Sequence, residues 1–246
     1  MAEKFGSRTK AADAIERGLV KVDGKAVAPS FDIKSGEDIQ ILQDEESFVS
    51  NGGYKLHKAL RDFNFSVEEK IYADIGASNG GFTDCLFQNG AKKVYCIDVG
   101  ESQLDKSLLD KNVVIIDNFN ARNLNKEIFN DKLDGAVIDV SFISLTYILP
   151  NVYNVLEDGA YVIALIKPQF ECESKSVGKN GIVKDSAVHK KIITKIVKFC
   201  DELGFSTLNL TNAPIKPGKN IEYLVLLQKH GKQTTELNHL FKYVKL

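Results

Sequence analysis

The chain has 246 residues, enough for one large domain and a small companion, and its 32 Lys and Arg against 33 Asp and Glu leave a net charge of −1. That balance excludes a wholly basic nucleic-acid binder and allows only local basic faces. No apolar run approaches the ~18 residues of a membrane span, Met1 opens no signal-peptide core, and neither the four cysteines (Cys85, Cys96, Cys172, Cys200) nor the four histidines show metal-ligand spacing. A cytoplasmic protein with reduced thiols and no metal is expected.

Ser7 reads as the N-cap of a short helix in which Ala11, Ala14 and Ile15 fall at helical spacing and Gly18 supplies the stop. Leu19 to Val22 and Lys25 to Val27 flank Asp23-Gly24, the preferred turn of a type I′ hairpin, and Asp38 to Leu42 adds a strand. An acidic linker, Asp44-Glu45-Glu46, follows. This basic helix and hairpin resembles the S4-type RNA-binding module, with the module's opening helix shortened here to Ala2–Phe5. The resemblance implies that Arg8, Lys10, Arg17 and Lys21 meet RNA phosphates, contributing affinity rather than sequence choice. A solvated appendage is the competing reading. The module is expected over residues 1–46 and the second domain over 47–246.

From Asn51 a helix is predicted whose Leu56, Ala59, Leu60 and Phe63 form an apolar stripe. It leads to the stretch around which the chain is organised. Ile71 to Ile75 is an apolar strand that runs into Gly76-Ala77-Ser78-Asn79-Gly80-Gly81, and Phe82 to Gln88 starts a helix. Glycines there let backbone N–H groups and a positive helix end approach a nucleotide-like ligand. The spacing Asp74-x-Gly76-x-Ser78-x-Gly80 departs from the dinucleotide fingerprint, and an acid two residues before the first glycine would repel a pyrophosphate but suit the ammonium of S-adenosylmethionine. The cofactor set on this reading is Asp74, Gly76, Ala77, Ser78, Gly80, Gly81, Phe82 and Thr83. A plain strand-to-helix turn, or an NAD site, is the alternative. Lys93 to Ile97 is a second strand closing on Asp98, at the ~20-residue distance of a ribose-binding carboxylate.

Further along, helices are predicted at Gln103 to Leu109, near Asn125 to Asn130, at Leu145 to Leu156 and at Ala187 to Leu203. They alternate with strands at Val113 to Ile116, Gly135 to Asp139 and Ala160 to Lys167, and two last strands fall at Thr207 to Leu210 and Ile221 to Leu227. Alternating strands and helices from Ile71 onward mean an α/β fold with a doubly wound, Rossmann-like, mostly parallel sheet. The final two strands lack an intervening helix, so the last is expected to be antiparallel.

Asp139 and Lys167 each end a parallel strand, Glu222 lies near the start of the antiparallel one, and Lys55 reaches the same sheet edge from its helix. Two amines and two acids beside a methyl donor have a clear use. An amine held next to a second cation and partly desolvated can have its pKa lowered enough to act on a hydroxyl. Lys167 is expected to deprotonate or orient a ribose 2′-hydroxyl, with Asp139 and Glu222 positioning the amines and Lys55 tuning the cluster. Alignment of the reacting atoms supplies most of the acceleration.

These stretches together resemble the TlyA family, haemolysin-like ribosomal RNA 2′-O-methyltransferases built from an S4-type module and an FtsJ-like domain. The likeness is carried by Val49 to Leu56, Asp74 to Asp84, Asp98-Val99-Gly100, Asp139 to Leu145, Lys167 to Glu171, Gly181 to Asp185 and Gly218 to Tyr223. It implies that Lys55, Asp139, Lys167 and Glu222 are the catalytic set, that Asn120 meets the adenine, and that Asp139 also borders the cofactor. Asn51 stands where the family commonly has Arg. The implied partner is ribosomal RNA, with cytidine ribose as acceptor. Two alternatives differ in class: a non-catalytic RNA-binding or ribosome-assembly factor, and a membrane-active haemolysin, for which no long basic amphipathic helix is visible.

Overall fold

Among the described residues two sheets organise the chain, one of three strands near the N-terminus and one of seven. The computed structural model describes residues 2–5, 8–42, 47–101, 103–178, 180–216, 218–232 and 234–246, with the side chains of 2, 3, 9, 10 and 13 left out. The readings of Ser7 as a cap, of the Lys10 side chain and of the linker at Asp44 to Glu46 therefore fall outside the described residues.

The small unit comprises α1 (Ala2–Phe5), α2 (Arg8–Glu16), β1 (Val20–Val22), β2 (Lys25–Ala26) and β3 (Ile39–Ile41), in strand order β2-β1-β3. Asp23 and Gly24 both take positive φ, 49° and 74°, as a type I′ turn requires. Ala11, Ala14, Val20 and Val22 are its buried apolar residues.

The large unit begins with α3 (Asn51–Asp62) and continues as β4 (Ile71–Ile75), α4 (Gly81–Gln88), β5 (Lys93–Ile97), β6 (Val113–Ile116) and β7 (Gly135–Ile138). Then come α5 (Leu149–Val155), β8 (Tyr161–Ile166), α6 (Pro168–Glu171), α7 (Ser186–Leu203), β9 (Phe205–Asn212), β10 (Tyr223–Lys229) and α8 (Leu237–Leu240). Its strand order is β6-β5-β4-β7-β8-β10-β9, with β10 antiparallel to both neighbours. The order reverses at β4, which pairs in parallel with β5 on one side and β7 on the other. In such sheets the crevice beyond the carboxyl ends of the strands at the reversal receives ligands.

Strand parity sorts the core into two layers. Ala73, Ile75, Ile138, Val162, Ala164 and Ile166 face the side covered by α5 and α7, while Tyr72, Val94, Val137, Ile163 and Leu165 face α3 and α4. Both faces are apolar, as a sheet covered on both sides demands.

Three predicted helices are shorter than expected. Gln103 to Leu109 is a single 3₁₀ turn at Lys106–Leu108, and Asn125 to Asn130 is another at Lys126–Ile128. In each an Asx side chain, Asp105 or Asn125, accepts the N–H two residues on and closes a turn that does not continue. The third breaks into a 3₁₀ turn at Leu145–Tyr147 and α5, because Pro150 lacks an N–H and is tolerated only in a helix's first turn. Among the described residues no helix is long and apolar enough to cross a membrane.

Candidate active site

Four charged side chains meet at the reversal edge. Lys55 projects from α3, Asp139 follows β7, Lys167 follows β8, and Glu222 immediately precedes β10. The Lys167 Nζ lies 2.5 Å from Asp139 Oδ1, while Lys55 Nζ lies 3.9 Å from Asp139 Oδ2 and 2.8 Å from Glu222 Oε2. Lys167 also donates to Ser141 Oγ at 2.9 Å. The cluster alternates in sign, and its most enclosed side chain, Lys167, is only 10% exposed. Burial pulls the Lys55 pKa down, but the Asp139 and Glu222 carboxylates outweigh it and hold the amine above its ordinary value. Lys55 is therefore a standing cation, not an amine that burial has stripped of its proton.

Glycines bring the parts together. Gly76 has φ +83°, and a Cβ there would come within 2.5 Å of the Asp139 carbonyl oxygen, so the turn after β4 can lie against β7 only without a side chain. A Cβ on Gly81 would sit 2.2 Å from Ser50 Oγ, so α4 can abut the start of α3. That contact sets the helix carrying Lys55.

Beyond the strand ends lies a cavity of about 770 Å³ bordered by Gly76, Ser78, Asp98, Asn120, Asp139 and Phe142 among others. Asp98 is oriented there by the Ser78 and Gly100 N–H groups, each donating to one carboxylate oxygen at 2.9 Å. Asn120 stands exposed at the rim with its side-chain oxygen capping the 3₁₀ turn at Ala121–Asn123, a bond that does not use its amide N–H₂ group. Ala77 and Ser78 border a smaller adjoining cavity that shares Asp98.

Other residues of the expected cofactor set are elsewhere. Asp74, Gly80, Gly81, Phe82 and Thr83 are buried beneath the turn and border neither cavity. Parity is the reason: Asp74 shares a face with Tyr72 and points under α4, where Thr83 Oγ1 donates to its Oδ2 at 2.6 Å. Its carboxyl, fully enclosed, is pushed up to about 7 by burial. Asp74 thus braces the turn from below in this conformation and does not stand at the cavity wall.

On the other side of the cluster a groove of about 650 Å³ runs between α2 and α3, with Lys55 and Glu222 in its wall. Arg17, Lys58, Arg61, Lys216 and Lys219 give it a basic lining. Of the four cations expected on RNA, Arg17 borders this groove, its guanidinium 3.6 Å above the Tyr54 ring and donating to the Tyr54 hydroxyl. Arg8 and Lys21 stand away from it, Arg8 exposed and Lys21 half-buried. Lys216 bridges the units, 3.2 Å from Glu16 Oε2 and 2.8 Å from Asn51 Oδ1. Sequence reading missed Lys58, Arg61, Lys216 and Lys219, although Lys55, Lys58 and Arg61 recur at three-residue spacing along one helix. It also missed Phe142, 90% exposed with φ 62°, its ring 5.0 Å from that of Phe170 at the cavity mouth.

The FtsJ-like methyltransferase family matches residues 48–229 and the S4 domain residues 2–39. Hemolysin A of Brachyspira hyodysenteriae is 46% identical over 222 residues, covering 89% of this chain and 92% of that protein. The 16S/23S rRNA (cytidine-2′-O)-methyltransferase TlyA of Mycobacterium tuberculosis is 36% identical over 226 residues, covering 90% of this chain and 84% of the relative. A solved structure described as a hemolysin from Streptococcus thermophilus aligns with a TM-score of 0.78 at 38% identity, over 98% of this chain and 92% of that one.

Proposed function

The chain belongs to the FtsJ-like methyltransferases and carries an S4 domain ahead of that match, and we propose that it methylates the ribose 2′-hydroxyl of a cytidine in ribosomal RNA, using S-adenosylmethionine. One observation carries this reading. The cluster forms a shared wall, with Asp139 in the large cavity and Lys55 and Glu222 in the basic groove. A donor on one side and an RNA strand on the other would meet across this wall, with Lys167, which borders neither space, paired to Asp139 within it.

The cavity residues fit the donor by their chemistry. Asp98, held at the end of β5 by two N–H groups, keeps lone pairs for ribose hydroxyls, and Asn120 offers an amide to a base edge. When bound there, S-adenosylmethionine supplies a methyl group already activated by a sulfonium. The protein's part is placement and proton handling. Asp139 and Ser141 take two of the three directions around Lys167 Nζ, leaving one for a substrate hydroxyl; the ammonium orients that hydroxyl, and only after releasing its third proton to solvent can the neutral amine receive the hydroxyl's. Lys55 stays cationic and, with Glu222, fixes the far oxygen of Asp139, so the carboxylate cannot swing away from Lys167.

The groove suits a phosphate backbone, because Arg17, Lys58, Arg61, Lys216 and Lys219 outnumber its acids Glu16 and Glu222. At the cavity mouth Phe142, backed by Phe170, offers an aromatic face on which an unstacked base can rest.

The deciding assay is transfer of labelled methyl to intact ribosomal subunits and to naked ribosomal RNA. The expected result is a 2′-O-methylcytidine product on assembled particles, abolished in Lys167→Ala while S-adenosylmethionine still binds. Absence of product on every ribosomal RNA would overturn the proposal in favour of a non-catalytic assembly factor.

A further inference from the structure

Glu222 occupies an awkward place for a residue of the cluster. The segment from Gly218 to Glu222 lies outside regular structure, and only from Tyr223 does the ladder of β10 fix the backbone. One backbone bond ties the glutamate's own peptide, from the Ala213 N–H to the Glu222 carbonyl at 2.9 Å. Its carboxylate nevertheless meets Lys55 at 2.8 Å.

The residues flanking it converge on a single buried residue. Two positions before Glu222, Asn220 accepts the Val183 N–H at 2.9 Å on Oδ1 and donates from Nδ2 to the Gly181 carbonyl at 2.8 Å. One position after it, the Tyr223 hydroxyl lies 2.7 Å from His189 Nδ1, and His189 Nε2 lies 2.9 Å from the Val183 carbonyl. A carbonyl can only accept, so Nε2 carries a proton. Burial pushes the Tyr223 phenol up, so its O–H is kept to donate to Nδ1. Both backbone groups of Val183 are therefore taken by the two side chains that bracket Glu222 or by a side chain holding one of them. Val183, His189 and Tyr223 are 3%, 1% and 0% exposed, so the two His189 links exclude water and loss of either leaves a buried polar group unmet, while the Asn220–Gly181 bond lies at the surface.

We propose that Asn220, Tyr223 and His189 are positioning residues that fix the Glu222 carboxylate against Lys55 by anchoring both sides of it to Val183. The inference rests on the proposed transferase reading for its kinetic consequence, though not for its geometry. His189 enters from the first turns of α7, a helix started at Asp185, whose side chain accepts the Ala187 N–H at 2.8 Å. The motifs Gly181 to Asp185 and Gly218 to Tyr223 are thus two halves of one clamp. None of the three anchors is itself a member of the Lys55, Asp139, Lys167 and Glu222 cluster.

The experiment compares wild type, Asn220→Ala and Tyr223→Phe, alone and in a Glu222→Ala background. Single-turnover rates with enzyme in excess are read alongside S-adenosylmethionine affinity and the NMR titration of the Lys55 amine. Displacing Glu222 by about 1 Å is expected to slow methyl transfer roughly 10- to 100-fold, leave cofactor affinity unchanged, and lower the Lys55 pKa as its partner withdraws. Without the Glu222 carboxylate the same substitutions should cost nothing further, since residues acting through one group are not additive. Tyr223→Phe keeps the ring in the core and carries the test if Asn220→Ala does not fold. Equal losses in both backgrounds, or an unmoved Lys55 titration, would overturn the clamp. Full activity in Asn220→Ala with an active wild type would sink this inference alone. If the wild type transfers no methyl, the functional reading falls and the Lys55 titration by itself decides the clamp, a lowered pKa upholding it and an unmoved one refuting it.

Discussion

Asp74 sits fully enclosed beneath α4, with Thr83 bonded to one oxygen and, among the described residues, no hydrogen-bond partner for the other. Burial is the largest influence on its carboxyl. The Thr83 hydroxyl opposes it in part, the Asp139 charge adds to it, and the pKa rises from 3.8 to about 7. An acid whose folded value exceeds its unfolded one keeps its proton longer in the native state. Its contribution to stability is then most favourable below about pH 4, falls as the pH climbs from about 4 to about 7, and levels off above. About three units at ~1.36 kcal/mol each set a ceiling of about 4 kcal/mol. Asp74→Asn removes this dependence while keeping an oxygen for Thr83. In urea unfolding between pH 4.5 and 8.5, the variant should match the wild type at the acid end and gain stability toward neutrality, by roughly 2–4 kcal/mol at the top of the range. Carboxylates elsewhere titrate alike in both proteins and cancel in the difference. A stability difference that stays flat across that range would refute the reasoning, because it would mean that Asp74 is ionised in the fold at low pH or is reached by water.

Removing the Asp98 carboxylate with Asp98→Ala is expected to weaken S-adenosylmethionine binding about 10- to 100-fold by calorimetry, the scale of a hydrogen bond to a charged group; affinity within twofold of wild type would exclude Asp98 as the ribose ligand. Lys219→Ala and Arg61→Ala should each weaken RNA binding without altering cofactor affinity, and each should reduce the slope of log affinity against log salt by about 0.7, one single-strand phosphate contact. Unchanged slopes would take the RNA out of the groove.

The strands and the polarity of the sheet were legible because their signals are local. Runs such as Tyr161 to Ile166 are apolar without a break, and the missing helix between β9 and β10 was enough to predict an antiparallel last strand. Asp139 and Lys167 were legible for the same reason, since residues ending parallel strands must come to one edge. Asp74 shows the limit. Its spacing from the glycines is that of a cofactor ligand, but whether a strand's last side chains point out of the sheet's end or into a face depends on parity relative to α4, and the strand's neighbours fix that only in three dimensions. The groove was opaque because its lining comes from α2, α3 and the loop around Lys216, segments far apart along the chain. The short 3₁₀ turns at Asp105 and Asn125 were readable in principle from the Asx residue at the start of each, a turn signal that helical spacing of neighbouring apolar residues obscured.

The alternating order of the cluster bears on which amine does the work. Lys167, Asp139, Lys55 and Glu222 form a row of opposite signs whose formal charges cancel, so the row can be partly enclosed without a counterion. Lys55 lies inside the row with a carboxylate on each side, and those two neighbours keep it protonated. Lys167 ends the row, with one carboxylate partner and a hydroxyl, Ser141, where a second carboxylate could have stood. An interior amine has its charge stabilised by two carboxylates and would be a poor proton acceptor. Exchanging the two roles would require an acid in place of Ser141. Position in the row, more than residue type, is therefore what separates the roles proposed above for Lys167, at its end, and for Lys55, inside it.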